Sequence, residues 1–396
     1  MAVGGEARGS APRVALWRDP RVRGLAAQAL VLGLVLAGAA YLVHNTIVNR
    51  ERLGVASGFD FLGRLAGFDV SQSLIDFASD RSSYGRAFVV GLLNTLYVAA
   101  VGILLATIIG FVMGIARLSS NWLVARLALV YIEVIRNVPL LLQLIFWYVV
   151  VLGALPGPRD SLVVLGIGYL NVRGLFLPKP IFGQGAAVEL SALLGALLAV
   201  VLLARWARRR REETGRPFPT VWVGLAILIL VPLGAHLALG APISFDHPRL
   251  TRFRLEGGLV LLPEFLALVL GLSVYTGAFL AEIVRSGILS VSKGQLEAAG
   301  ALGLKPNQTL RLVVIPQALR VIIPPQTSQY LNLTKNSSLG VAIGYPDFFN
   351  VAGTINNQTG QAVEVIAITM AVYLSFSLAI SAFMNWYNAK MALVER

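Results

Sequence analysis

The sequence predicts an all-α protein, a polytopic bundle of transmembrane helices, and three observations carry that reading. Hydrophobic residues make up 56% of the 396-residue chain and charged residues 13%. An ordinary soluble domain carries about 25% charge. The apolar residues fall in long runs, and a run of about 20 residues crosses the roughly 30 Å hydrocarbon core as a helix. Most of the Lys and Arg residues collect between those runs.

Eight runs qualify, at about 25–43, 88–114, 124–152, 187–205, 220–240, 259–282, 319–340 and 363–384. The first follows Arg13, Arg18, Arg21 and Arg23, and no clear A-x-A cleavage site comes after it. That predicts an uncleaved first helix rather than a removed signal peptide. The seventh is the weakest, because Pro324, Pro325, Gln326, Gln329, Asn332 and Lys335 interrupt it. Such broken backbone is tolerated in a membrane only where it faces protein or a polar cavity.

Charge orients the spans. With a cytoplasmic N-terminus and eight crossings, 20 of the 33 basic residues fall in interior loops and span ends, and 11 in the exterior segments 44–87, 153–186 and 241–258. Basic residues favour the cytoplasmic side, so both termini are expected there. The strongest marker is the run Arg205, Arg208, Arg209, Arg210, Arg211 and Arg216. The net charge of +13 is thereby read as topology, and nucleic-acid binding is not expected. The lipid bilayer is the expected surroundings.

Cysteine is absent, which excludes disulfides, thiolate chemistry and Cys-based metal sites. His44, His236 and His247 are far apart, without the H-E-x-x-H spacing of a zinc site, so no metal is expected. Segment 44–87 reads as a connecting loop with a short amphipathic piece near Phe59 to Leu65, and the Gly- and Pro-rich segment 153–186 as irregular. The organisation is then a cytoplasmic tail (1–24), an extra first helix with an exterior segment (25–87), and a transmembrane domain (88–396). That domain carries inserted helices around 187–240 and a cytoplasmic loop at 290–318.

Polar residues inside apolar surroundings mark a candidate path. Glu133 and Arg136 are three apart and share a helix face. They either pair toward a polar interior or snorkel to water from a helix near the interface. Pro139 predicts a kink, with Gln143 just beyond it. Gln329, Lys335 and Ser338 form a second polar group that suits either a solute cavity or a helix-packing network. Glu282 and Arg285 have the spacing of an ion pair.

The loop 290–318 reads as a compact knob. A short helix over Gln295–Leu302 ends at Gly303, a residue suited to the turn, and Pro306 opens a second helix that ends near Pro316. Across Glu297, Ala298, Ala299, Gly303, Val313, Ile315 and Pro316 the spacing resembles the cytoplasmic loop signature of binding-protein-dependent ABC importer permeases. One departure is Ile315, where leucine is commonest. Residues 131–143 (Y-I-E-V-I-R-N-V-P-L-L-L-Q), 272–288 and 329–339 resemble segments of the polar amino-acid permeases of that family, the histidine, glutamate and glutamine type. The extra helices resemble the larger permeases of general L-amino-acid importers.

The resemblance implies a MetI-like permease fold with additional N-terminal and central helices, in a bacterial inner membrane. It implies a non-enzymatic subunit that moves L-amino acids inward, with Glu297, Ala298, Ala299, Gly303 and Pro316 in the loop that docks on the ATPase. It further implies a dimer of ATPase subunits, a second homologous permease forming a heterodimer, and a periplasmic amino-acid-binding protein. No G-x-x-x-x-G-K-[ST] sequence occurs, so ATP and magnesium are expected on the partner and no cofactor in this chain. An ion-gradient-driven transporter of a small polar solute and a noncatalytic assembly or receptor subunit remain the other classes.

Overall fold

A computed structural model describes residues 20–54, 58–251 and 255–391. Most of the N-terminal tail and residues 392–396 lie outside them.

Helix α1 (Pro20–Leu53) runs ten residues past the expected end at 43. Residues 44–53 contain no Gly or Pro to stop it, and it ends at Gly54, whose φ is +64°. The expected amphipathic piece is a 3-10 turn over Asp60–Gly63, and Phe61 from it is fully buried. Helix α2 (Tyr84–Ala116) starts at Ser83, whose hydroxyl accepts from the Arg86 N–H at 3.3 Å. Helix α3 (Trp122–Asn137) is capped by the Asn121 side chain. After Pro139 the chain turns by 107° into α4 (Leu140–Ile145), which widens into a π-helical stretch over Phe146–Leu152.

The segment 153–186, expected to be irregular, carries four short strands. It holds β1 (Leu162–Val164), β2 (Gly168–Asn171), β3 (Gly174–Leu177) and β4 (Lys179–Phe182). Helices α5 (Ala186–Thr214) and α6 (Thr220–Ala238) follow as a hairpin. Then come β5 (Ile243–Asp246), β6 (Arg249–Leu250), β7 (Leu255–Glu256) and β8 (Leu259–Leu261). One antiparallel sheet has the order β1-β2-β3-β8, and β4 pairs with β5. The strands are two to four residues long, and the β3–β8 and β4–β5 pairs form across the inserted hairpin, so neither partner of those pairs shows a strand signal by itself. The β4–β5 ladder closes the hairpin at its base, together with His236 Nδ1 at 2.9 Å from Glu189 Oε1.

Helix α7 (Pro263–Leu289) leads to α8 (Lys293–Ala301), α9 (Pro306–Thr309), a π-helical turn at Leu310–Val314 and α10 (Ile315–Asn336). The second helix of the knob was expected to end near Pro316; the chain instead stays helical from Pro306 to Asn336. Pro316 falls in the first turn of α10, where proline is tolerated, and the wider turn before it makes room for the ring. A 3-10 stretch, α11 (Phe348–Thr359) and α12 (Ala362–Met391) complete the chain.

Among the described residues, six helices (α1, α2, α5, α6, α7 and α12) are long and apolar enough to cross a membrane, and the bent α3–α4 pair makes a seventh if it is one span. Helix α10 has 22 residues, enough for a crossing, but its polar content keeps it out of that group.

Helix α7 is the centre, with about 67% of its apolar stretch buried, against 0% for α1. It packs most heavily on α2. There α2 presents Gly102, Ala106, Gly110 and Gly114, four small residues at spacing four, all buried. A Cβ on Gly114 would stand 2.7 Å from the Ala281 carbonyl oxygen, and one on Gly110 would meet Leu280 directly. Small residues at this spacing let two helix backbones approach closely in a membrane.

Gly114→Leu is expected to cost about 1–3 kcal/mol through overpacking, read as a lower unfolding midpoint of the detergent-solubilised protein. Gly33→Leu on α1, where nothing lies within 4 Å of the added Cβ, should leave the midpoint unchanged. A second test concerns Asp347, which caps α11 and accepts from the Asn350 N–H at 2.9 Å. Burial pushes its carboxyl up to about 7. The folded state therefore holds the proton more tightly than the unfolded chain. The resulting stability is full below about pH 4 and is lost as pH rises through 7. Asp347→Asn, which keeps the cap, should raise the midpoint above neutral pH and give little gain in acid.

Candidate translocation path and partner-docking element

The docking element is built by local rules. Helix α8 ends in a Schellman motif, in which the Leu304 N–H donates to Ala299 O at 3.1 Å and the Gly303 N–H to Gly300 O at 2.9 Å. Gly303 has φ +71°, with nothing within 4 Å of a Cβ, so glycine is needed there for its backbone rather than for space. Pro306 opens α9, and the Gln308 side chain accepts from the Lys305 N–H at 2.9 Å. Ala299 is buried and Glu297 is exposed.

The element is anchored from below by one apolar cluster of Val284, Val291, Val314, Ala318 and Ile322. That cluster joins the end of α7 to the start of α10. Outward, the element leaves Leu296, Leu302, Leu310 and Leu312 in the open, Leu302 at 79% exposure.

The polar residues separate into different roles. Gln143 is buried, and its Nε2 donates to Ile135 O and Val138 O, both at 2.9 Å. Pro139 has no N–H to give Ile135 O, so Gln143 closes the bend that proline opens. Arg136 stands over the Phe279 ring at 5.1 Å, which brings α3 against α7. No Glu133–Arg136 ion pair forms among the described residues; Glu133 is exposed, and its backbone carbonyl accepts from Asn137 Nδ2 at 2.6 Å. The Glu282–Arg285 pair does form, at 2.6 Å. Gln329 is half-buried, Lys335 is exposed, and Ser338 donates to its own helix end at Lys335 O. These residues are thus not gathered into one cavity.

The groove that does exist lies between α10 and α12. One cavity of about 630 Å³ is bounded by Ile103, Leu319, Gln326, Tyr330 and Phe383, and a second of about 460 Å³ by Pro324, Pro325, Ser328 and Asn385. Gln326 Nε2 donates to the Tyr330 hydroxyl, which stands 2.6 Å from the Thr107 hydroxyl. This chain of polar groups ties α10 to α2. Farther along α2, Asn94 Nδ2 donates to Gln72 O and Pro346 O, and Thr95 Oγ1 accepts from the Phe348 N–H. Sequence reading missed Asn94, Thr95 and Thr107. Polar side chains inside the most apolar run of the chain were the available signal.

The bundle of apolar helices and its capped knob fall within a chain that matches a known family. The profile of the family described as "binding-protein-dependent transport system inner membrane component" matches residues 191–393. The chain belongs to that family. Its members are membrane subunits of transport systems rather than enzymes.

The chain is 55% identical over 378 residues to the general L-amino acid transport system permease protein AapQ of Rhizobium johnstonii, covering 96% of this chain and 94% of that protein. It is 50% identical to the putative amino-acid ABC transporter permease protein YhdX of Escherichia coli, covering 96% of each. It is 42% identical to the glutamate/glutamine/aspartate/asparagine transport system permease protein BztB of Rhodobacter capsulatus, again covering 96% of each.

Gln143→Leu removes the donor that the Ile135 and Val138 carbonyls share at the half-buried bend. It should destabilise the protein by about 1–3 kcal/mol, measured by thermal unfolding, without changing which solutes compete for transport. A shift in competition with stability intact would put Gln143 in the path instead.

Proposed function

We propose that this chain is the permease subunit of an ATP-driven importer that carries L-amino acids from periplasm to cytoplasm. The observation that carries the reading is the docking element: four exposed leucines on a helix pair stiffened by a Schellman turn and rooted in the cluster under α7 and α10. Exposed apolar side chains clustered on a cytoplasmic loop suit a protein partner. The partner is a dimer of ATPase subunits that binds ATP and magnesium, and it meets the surface around Glu297, Ala298, Ala299 and Gly303. Pro316 lies behind that surface, in the first turn of α10. The substrate class follows the relatives of near-equal length, whose names specify amino acids.

The rest of the assembly follows the same reading. A second homologous permease completes a heterodimer, and a periplasmic binding protein delivers the amino acid. Both termini are cytoplasmic and α10 counts as the eighth crossing, held in the bundle by its contacts with α2, α7 and α12. The α10–α12 groove, with Gln326 and Tyr330, borders the route. Glu133, Arg136, Gln329, Lys335 and Ser338 remain as candidates on its other faces. An ion-gradient-driven transporter has no use for the docking element and is not favoured.

The test is uptake of labelled amino acids into liposomes holding the assembled complex, with binding protein outside and ATP inside. Gly303→Glu puts bulk and charge into the turn and forces a side chain into the left-handed region. That backbone costs about 1–2 kcal/mol for a non-glycine residue. The variant complex should assemble and bind ATP while uptake falls by at least about tenfold. Uptake that needs only an ion gradient would sink the proposal.

A further inference from the structure

The arginine run at the tip of the α5–α6 hairpin was read as a topology marker, and the positive-inside rule accounts for its presence there. It does not account for the arrangement. A cavity of about 470 Å³ lies between the hairpin tip and the docking element. Arg208 and Arg211 face it from α5, Arg311 from the π-helical turn before α10, and Ala207, Pro217 and Phe218 form apolar wall. Three guanidinium groups from two elements more than 90 residues apart in sequence thus border one space.

Like charges that converge repel unless an anion sits between them. Arg208 has an exposed pair with Glu212 at 3.2 Å, which is worth little at a surface. Arg211 and Arg311 form no ion pair among the described residues. Beside the cavity, Arg210 lies over the rings of Trp206 and Phe218 at 5.2 and 5.7 Å, and the two rings meet edge-on at 5.1 Å. Trp is enriched where a helix leaves the hydrocarbon. Above it, α5 turns Leu194, Leu198, Val201 and Leu202 outward, a path for acyl chains. Arginine forks match phosphate oxygens in bidentate geometry.

We propose that this cavity binds the phosphate headgroup of an anionic phospholipid of the cytoplasmic leaflet, with Arg208, Arg211 and Arg311 as the phosphate ligands. The headgroup holds the peripheral hairpin against the turn that carries Arg311. The proposal does not depend on which solute the transporter moves.

The experiment is native mass spectrometry of the assembled complex, extracted from nanodiscs containing equal amounts of phosphatidylglycerol and phosphatidylcholine. The wild type should retain phosphatidylglycerol in preference. Arg208→Gln/Arg211→Gln/Arg311→Gln should lower that retention by at least about fivefold, as expected for basic residues near an anionic headgroup. Arg209→Gln/Arg216→Gln, which removes charge from the same tip outside the cavity, should retain the lipid. Arg311→Gln alone, far from the hairpin in sequence, should also lower retention if the triple variant does not assemble. Equal retention in wild type and cavity variants overturns the proposal, and so does an equal loss in the Arg209/Arg216 control. Displacement of the lipid by excess inorganic phosphate, with phosphate binding and no lipid preference, assigns the cavity to a free anion and also overturns it.

Discussion

The close approach of α2 and α7 is the constraint on which the rest of the bundle depends. In lipid the hydrophobic effect does little to hold one apolar helix against another, so association rests on van der Waals contact, interhelical hydrogen bonds and lipid entropy. Gly110 and Gly114 let α7 come near enough for Leu280, Ala281 and Val284 to fill the seam, and Gly102 takes Leu333 of α10. Once α7 is fixed, the bent α3–α4 pair, α10 and the docking element all pack on a defined surface. Helices α1, α5 and α6 lack such a seam with the centre, and their apolar faces are left to lipid.

This division explains how the chain handles its polar residues. At the bend, Gln143 repairs a break made by Pro139. Between α10 and α2, the Gln326–Tyr330–Thr107 chain joins two helices where a polar group without a partner would be costly. The docking element turns Leu296, Leu302, Leu310 and Leu312 outward, as the β-stranded segment turns Val163 and Leu165. The docking element is joined to α7 and α10 through Val284, Val314, Ala318 and Ile322. These side chains are closely packed, so displacement there passes on rather than being absorbed.

Much of this was legible because it is local. The membrane class follows from run length, the break at residue 139 from one proline, and the knob from a glycine and a proline at fixed offsets. The Glu282–Arg285 pair needed only a spacing of three. What stayed hidden depends on distant partners. Strand β3 finds β8 across the whole α5–α6 insertion, and no residue of 174–177 announces that pairing. The Glu133–Arg136 spacing permitted a pair, but Phe279 on another helix competes for the arginine. Gln143 had a local clue: a glutamine four residues after a proline can reach the carbonyl the proline leaves free. The helix end expected near Pro316 was misplaced because the π-helical turn before it has no sequence signature.

In the proposed function, the knob is the contact through which an ATPase drives the bundle. The absence of native cysteine makes this directly measurable by site-specific cross-linking in the assembled complex. Leu302→Cys, at the exposed tip of the turn, should cross-link to the ATPase subunit, with a yield that changes between nucleotide-free and ATP-bound states. Cysteine placed at Leu34 on the lipid-facing side of α1 should not cross-link to it. Absence of a Leu302 cross-link in a complex that still hydrolyses ATP and imports amino acid would contradict the account and place the contact elsewhere.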